Sequence, residues 1–264
     1  MNTTKSEEIR VSVMENYKSI ALEQESACGC QPTTGCCDTS QDAAEIMGYS
    51  KAELAAAPEG SNLGLGCGNP NAIAELTAGE TVLDLGSGGG FDCFLAANAV
   101  GASGRVIGVD MTAEMVHLAR TNATKTGHDN VEFRLGEIEY LPVPDASVDV
   151  IMSNCVVNLS PEKDKVFAEG FRVLKPGGRI AISDVVATAE IPADVKADDR
   201  LRSKCVSGAE FMTTLEDLLQ KAGFENISIT PKEESREFIH TWAPDRSVDD
   251  YLVSAIIQAR KPLA

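Results

Sequence analysis

One stretch constrains the fold more than any other. The apolar run Thr81-Val82-Leu83-Asp84-Leu85 meets Gly86-Ser87-Gly88-Gly89-Gly90, and a helical pattern opens at Phe91. Glycines let the backbone turn sharply and approach a ligand without side-chain collision. The same alternation then continues. Strand patterns at 105–110, 131–136, 148–154 and 179–186 are separated by helical patterns such as TAEMVHLARTNATKTG and PEKDKVFAEGFRVLKPGG. TTLEDLLQKAGF adds a helix, and ENISITP and YLVSAIIQARK close the chain as strands. Alternating strands and helices predict an α/β fold, here a Rossmann-like, seven-stranded, mostly parallel sheet covered on both faces.

The first 70 residues read differently. Apolar Ile9, Val13, Tyr17, Ile20 and Ala21 lie close to helical spacing and predict an amphipathic helix. Residues 25–41, ESACGCQPTTGCCDTSQ, have no periodicity and read as loop, and 58–70 is irregular and glycine-rich. The expected division is an irregular N-terminal extension, 1–70, and an α/β unit, 71–264, with a less regular insertion after the fifth strand at 187–212.

Composition removes several functions. Lys+Arg number 23 against 40 Asp+Glu, a net charge of −17. That balance excludes broad nucleic-acid binding and docking on an anionic membrane. No apolar run reaches membrane-span length, and MNTTKSEEIR is too polar and acidic for a secretory leader, so a cytoplasmic protein is expected. In a reducing compartment, eight cysteines point to metal or metalloid binding, redox chemistry or plain burial.

The glycine turn lacks the dinucleotide spacing, because its third glycine would fall on Phe91. The second strand ends in Asp110, placed to accept hydrogen bonds from both hydroxyls of a ribose. Asp84 suits a positive ammonium and would repel a pyrophosphate. V-L-D-L-G-S-G-G-G, V-I-G-V-D-M, L-G-E-I-E-Y-L-P and L-K-P-G-G-R together resemble class I S-adenosylmethionine methyltransferases over roughly residues 75–190. The resemblance implies S-adenosylmethionine as cofactor. Asp84, Gly86, Ser87 and Gly88 would hold its methionine moiety, and Asp110 the ribose. Met111, Gly136, Glu137 and Ile138 would surround the adenine, with Asn154 near the reacting methyl.

The fold does not choose the methyl acceptor. Cys155 follows the fourth strand, at the edge where open α/β sheets bind ligands. Cys67 precedes the first strand on a glycine-rich segment able to fold over that edge, and Cys205 follows the fifth strand. Three soft thiolates beside a methyl donor suit a thiophilic centre. N-L-G-L-G-C-G-N-P, S-N-C-V-V-N-L and S-R-E-F-I-H-T-W narrow the resemblance to microbial arsenite methyltransferases. That family implies arsenic(III) bound by Cys67, Cys155 and Cys205, with 187–212 contributing to the arsenic site. It implies arsenite arriving as a thiol complex, and a thiol reductant such as glutathione or thioredoxin. It also implies a further redox cysteine, for which Cys28, Cys30, Cys36 and Cys37 are candidates. Zinc at those four is the weaker reading, because C-x-C-x5-C-C lacks the C-x2-C knuckle. Two other functions compete: a C- or O-methyltransferase of small organic molecules with incidental cysteines, and a non-catalytic metalloid or zinc sensor on the same fold. Cys93, on the helix after the glycine turn, reads as core.

Overall fold

A computed structural model of the protein describes residues 3–27 and 43–263. Cys28, Cys30, Cys36 and Cys37 lie outside the described residues. Helix α1 (Thr3–Ala27) and the short α2 (Lys51–Ala56) precede the sheet. Ser50 starts α2 with a capping box: its hydroxyl accepts from Glu53 N–H, and the Glu53 carboxylate accepts from Ser50 N–H at 2.7 Å. Then follow β1 (Thr81–Leu85), α3 (Phe91–Val100), β2 (Arg105–Asp110), α4 (Ala113–Thr126), β3 (Val131–Leu135), β4 (Val148–Asn154), α5 (Lys163–Val173) and β5 (Leu174–Ala187). The chain closes with β6 (Glu210–Phe211), α6 (Met212–Ala222), β7 (Glu225–Lys232) and β8 (Leu252–Arg260). Glycine ends α4 and α6: Gly127 (φ 67°) and Gly223 (φ 103°) take the left-handed conformation that a side chain resists.

The strand order is β3-β2-β1-β4-β5-β8-β7, parallel except that β8 runs antiparallel to β5 and β7. The expected seven strands are all present. An eighth, β6, is two residues long and pairs with β5. Strand β5 also begins earlier than the apolar pattern indicates. Leu174 pairs with Val148, and the register shifts before Val150 meets Arg179, so Lys175–Gly178 form an irregularity inside the strand.

Alternation along β1 divides the core. Leu83 and Leu85 face a cluster that includes Ile107, Ile151, Leu215 and Leu219. Val82 faces the opposite side with Phe94, Val106, Phe133 and Met152. A period of two makes this division unavoidable once both faces are covered. A third apolar cluster brings Ile9 and Val13 of α1 against Cys67, Cys155, Cys205, Val185 and Leu252. The strand order reverses between β1 and β4, which opens a crevice beyond their carboxyl ends.

Candidate active site

That crevice is lined from the carboxyl ends of β1, β2 and β4. Asp84, Gly86, Ser87 and Gly88 line its floor, Asp110 and Met111 one wall, and Ile138 and Asn154 further parts of the boundary. Gly136 and Glu137 are not among the lining residues; Glu139 is, next to Ile138. Glu137 instead faces Arg10 at 3.6 Å.

The glycine turn is shaped by its surroundings. A Cβ on Gly86 would be driven into the Val156 side chain, and the backbone there has φ 70°. Gly88 (φ 49°) faces open space, and its N–H donates to Asp110 Oδ2 at 3.0 Å. Thr112 N–H donates to Asp110 Oδ1 at 2.8 Å, so the carboxylate is held by backbone on both oxygens. Ser87 Oγ is buried in the crevice without a hydrogen-bond partner among the described residues. An orphaned hydroxyl, an open glycine and several carboxylates fit a ligand that is polar and carries positive charge.

The electrostatics agree. Burial and the neighbouring Asp92 push the Asp84 carboxyl well above the usual carboxylate range. Cys93 is fully buried, as expected of a core thiol, and its Sγ donates to Asp84 Oδ2 at 3.2 Å. Burial pushes Asp92 up to about 6, against hydrogen bonds from Tyr49, Asn154 and Asn71 that favour its charged form. Burial also raises Asp110. A bound cation would reverse these penalties.

Asp92 therefore gives a pH dependence of known sign. Its native carboxyl ionises near 6, and the unfolded one near 3.8. The native state thus binds the extra proton, and the stability this contributes is full below about 3.8 and lost as pH rises through about 6. In urea unfolding, wild-type stability relative to Asp92→Asn should fall between about pH 4 and 6, by at most about 1.4 kcal/mol per unit, and level off above. A flat difference would place the Asp92 proton elsewhere.

Sequence reasoning missed the roof. Arg10, Val13 and Tyr17 of α1 line the crevice. Arg10 pairs with Glu162 and with the buried Glu139 at 3.3 Å, and Lys18 reaches Glu114 at 3.1 Å. Tyr17 Oη donates to the Ser203 carbonyl at 3.2 Å, which joins the roof to the segment bearing Cys205. The amphipathic spacing of α1 indicated a buried face but not what it covers.

The three expected thiols pack in one buried cluster, of which Cys155 reaches the crevice. Cys67, Cys155 and Cys205 are 1%, 7% and 2% exposed and pack in one cluster. The Cys67 and Cys155 sulfurs and a carboxylate oxygen of Asp184 all lie within 4.8 Å of one another. Cys205 Sγ donates to the Cys155 carbonyl at 2.7 Å. Cys155 lines the crevice beside Asn154. Cys155 (φ 59°) and Cys205 (φ 61°) both sit in the left-handed region, where a side chain costs about 1–2 kcal/mol. The segment carrying Cys67 is pinned. Its N–H donates to Asn154 Oδ1 at 3.0 Å, and its carbonyl accepts from Ser254 Oγ at 2.7 Å.

Burial, with the adjoining thiols, raises Cys155 well above the usual thiol range, and burial pushes Cys205 up to about 11. Asp184, missed because it sits inside the apolar run RIAISDVV, is buried and pushed up to about 6. It accepts from Asn158 N–H (3.1 Å), Asn158 Nδ2 (2.8 Å) and Val185 N–H (2.8 Å). His240 is half-exposed and pairs with Asp249 at 2.8 Å.

Comparison with known proteins gives the family. A family model described as a methyltransferase domain matches residues 76–234. The arsenite methyltransferase of Halobacterium salinarum is 54% identical over 263 residues, 97% of this chain and 67% of that protein. The chain belongs to the arsenite methyltransferase family. The arsenite methyltransferase of Aquipseudomonas alcaligenes is 42% identical over 80% of this chain and 61% of its own length. The crystal structure of an arsenic(III) S-adenosylmethionine methyltransferase from Chlamydomonas reinhardtii superposes with a TM-score of 0.64 at 30% identity, over 85% of this chain and 74% of that one. These relatives are longer than the part this chain spans. Fold and family make the protein a class I S-adenosylmethionine-dependent methyltransferase.

Proposed function

We propose that the protein transfers methyl groups from S-adenosylmethionine to arsenic(III) held by Cys67, Cys155 and Cys205. The observation that carries this reading is the packing of three buried thiols in one cluster beside the crevice, which Cys155 lines. Bound S-adenosylmethionine supplies an electrophilic methyl group. Asp84, Gly86, Ser87 and Gly88 would hold its amino-acid end, Asp110 its ribose, and Met111 and Ile138 its adenine. Glu139 takes the place beside Ile138 that Gly136 and Glu137 leave.

The thiols have a separate task. The raised pKa values of Cys155 and Cys205 keep those two thiols protonated until arsenic arrives. Each sulfur that bonds arsenic then gives its proton to the thiol it displaces, so a tris-thiol complex exchanges three ligands with no net charge change. Arsenic(III) on three thiolates keeps a lone pair, which serves as the nucleophile without a general base. Positioning then accounts for most of the acceleration. A thiol reductant, glutathione or thioredoxin by chemistry, would return pentavalent product to the trivalent state, with the cysteines at 28, 30, 36 and 37 as candidates for that relay. No helix among the described residues is long and apolar enough to cross a membrane, in keeping with work in the cytoplasm.

Incubation of the protein with arsenite, thiol and S-adenosylmethionine, followed by arsenic speciation, tests the reading. Methylated arsenicals are expected. Methyl transfer to an organic acceptor with none to arsenic would overturn it. Asp110→Ala should weaken S-adenosylmethionine binding by about 1.5–3 kcal/mol through loss of charge-assisted hydrogen bonds. Unchanged calorimetric affinity would remove Asp110 from the site.

A further inference from the structure

The cofactor floor and the Cys67 segment are joined by a short chain of side-chain hydrogen bonds. Asp92 lines the crevice beside Asp84. Tyr49 Oη donates to Asp92 Oδ1 at 2.6 Å, and Asn71 Nδ2 donates to the same oxygen at 2.8 Å. Asn154 Nδ2 lies 3.0 Å from Tyr49 Oη, 2.8 Å from the Gly68 carbonyl and 3.4 Å from Asp92 Oδ2. Asn154 Oδ1 accepts from Cys67 N–H. One amide thus grips both sides of Cys67, and the same amide touches the carboxylate of the cofactor floor. Gly66 leaves it room: a Cβ there would fall 2.9 Å from the Asn154 amide.

The amide is over-subscribed. An NH₂ group has two hydrogens, and here three acceptors compete for them. Its contact with Asp92 is the longest of the three. A cation seated against Asp84 and Asp92 would draw on that carboxylate, weaken the long Asn154–Asp92 contact and tighten the bonds by which Asn154 already holds the Cys67 segment.

We propose that Asp92, Tyr49 and Asn154 are positioning residues that couple occupancy of the cofactor floor to the placement of Cys67 for arsenic(III). The proposal rests on the functional reading above and adds to it an order: the cationic end of the cofactor sets the third thiol. Linkage requires the converse, that arsenite tighten the cofactor by the same factor. Tyr49 is the link to remove. Its ring packs edge-on against Phe91 at 4.9 Å, and phenylalanine keeps that contact while deleting the hydroxyl.

The test uses S-adenosylhomocysteine, which keeps the ammonium and cannot transfer a methyl group. Its affinity is measured by calorimetry with and without saturating arsenite, and retained arsenic is measured after gel filtration. In the wild type, arsenite should tighten binding by about fivefold or more. In Tyr49→Phe that ratio should fall to about one, whatever happens to the affinity without arsenite. Cys67→Ser, which removes the arsenic end of the chain, should also abolish it. A general loss of structure would lower affinity in both conditions and leave the ratio standing. Retained arsenite with no effect on S-adenosylhomocysteine in the wild type, or a full effect in Tyr49→Phe, sinks the coupling alone. Arsenite not retained at all sinks the functional reading and the coupling with it.

Discussion

Cys155→Ser and Cys205→Ser should each lose methylation of both arsenite and monomethylarsenite while still binding S-adenosylmethionine. Cys67→Ser should lose the first reaction and keep the second. A carbon–arsenic bond replaces one sulfur ligand, so monomethylarsenite engages two thiolates where arsenite engages three. Cys155 and Cys205 are locked to each other through the Cys205 Sγ contact with the Cys155 carbonyl. Cys67 is held from elsewhere, by Asn154 and Ser254. Misplacing the nucleophile by about an ångström costs on the order of a hundredfold in rate. Initial rates with each arsenical, and calorimetry with S-adenosylhomocysteine, separate the two steps. Three serine variants that methylate arsenite at the wild-type rate would return the protein to the organic-acceptor reading.

Gly208→Ala is expected to be nearly as damaging. Gly208 follows Cys205 by three residues, and a Cβ there would be driven into the carbonyl oxygen of Asn158. Asn158 is fixed in turn by Asp184 at 2.8 Å and by the Val185 carbonyl at 2.5 Å. The displaced methyl must therefore push the Cys205 segment away from the one carrying Cys155. Overpacking of this kind costs about 1–3 kcal/mol. Urea unfolding should show that loss, and arsenite methylation should fall further than S-adenosylhomocysteine binding, because the cofactor floor belongs to other strands. Wild-type stability and rate in this variant would mean that the two segments are free to separate.

The fold was legible because strand and helix periods alternate cleanly from Thr81 onward, and because the glycines after Leu85 admit one kind of turn. Two residues of β6 were not, since no period can be read from two positions. That the three thiols would lie together was legible from topology: Cys155 follows a strand end, and Cys67 and Cys205 flank the same edge. What faces it was not. Asp184 hides in an apolar strand pattern, and its meaning appears only when Cys67 and Cys155 come within 4.8 Å of it. Arg10 and Tyr17 hide likewise, because a helical stripe announces burial without naming its partner. Gly136 and Glu137 were implied by the resemblance of L-G-E-I-E-Y-L-P to the methyltransferases, and the residues that line the crevice there are Ile138 and Glu139.

The left-handed backbones of Cys155 and Cys205 bear on how long the molecule persists in a cell. Two of the three thiols stand on conformations that an unbound chain would rather abandon. On the proposed function, arsenic bridging them would bind the native arrangement more tightly than an unfolded chain, whose cysteines also take arsenic, and the difference would raise the free energy of unfolding. On the proposed function a toxic metalloid would protect its own methyltransferase from degradation, and enzyme abundance would follow the poison without any change in synthesis.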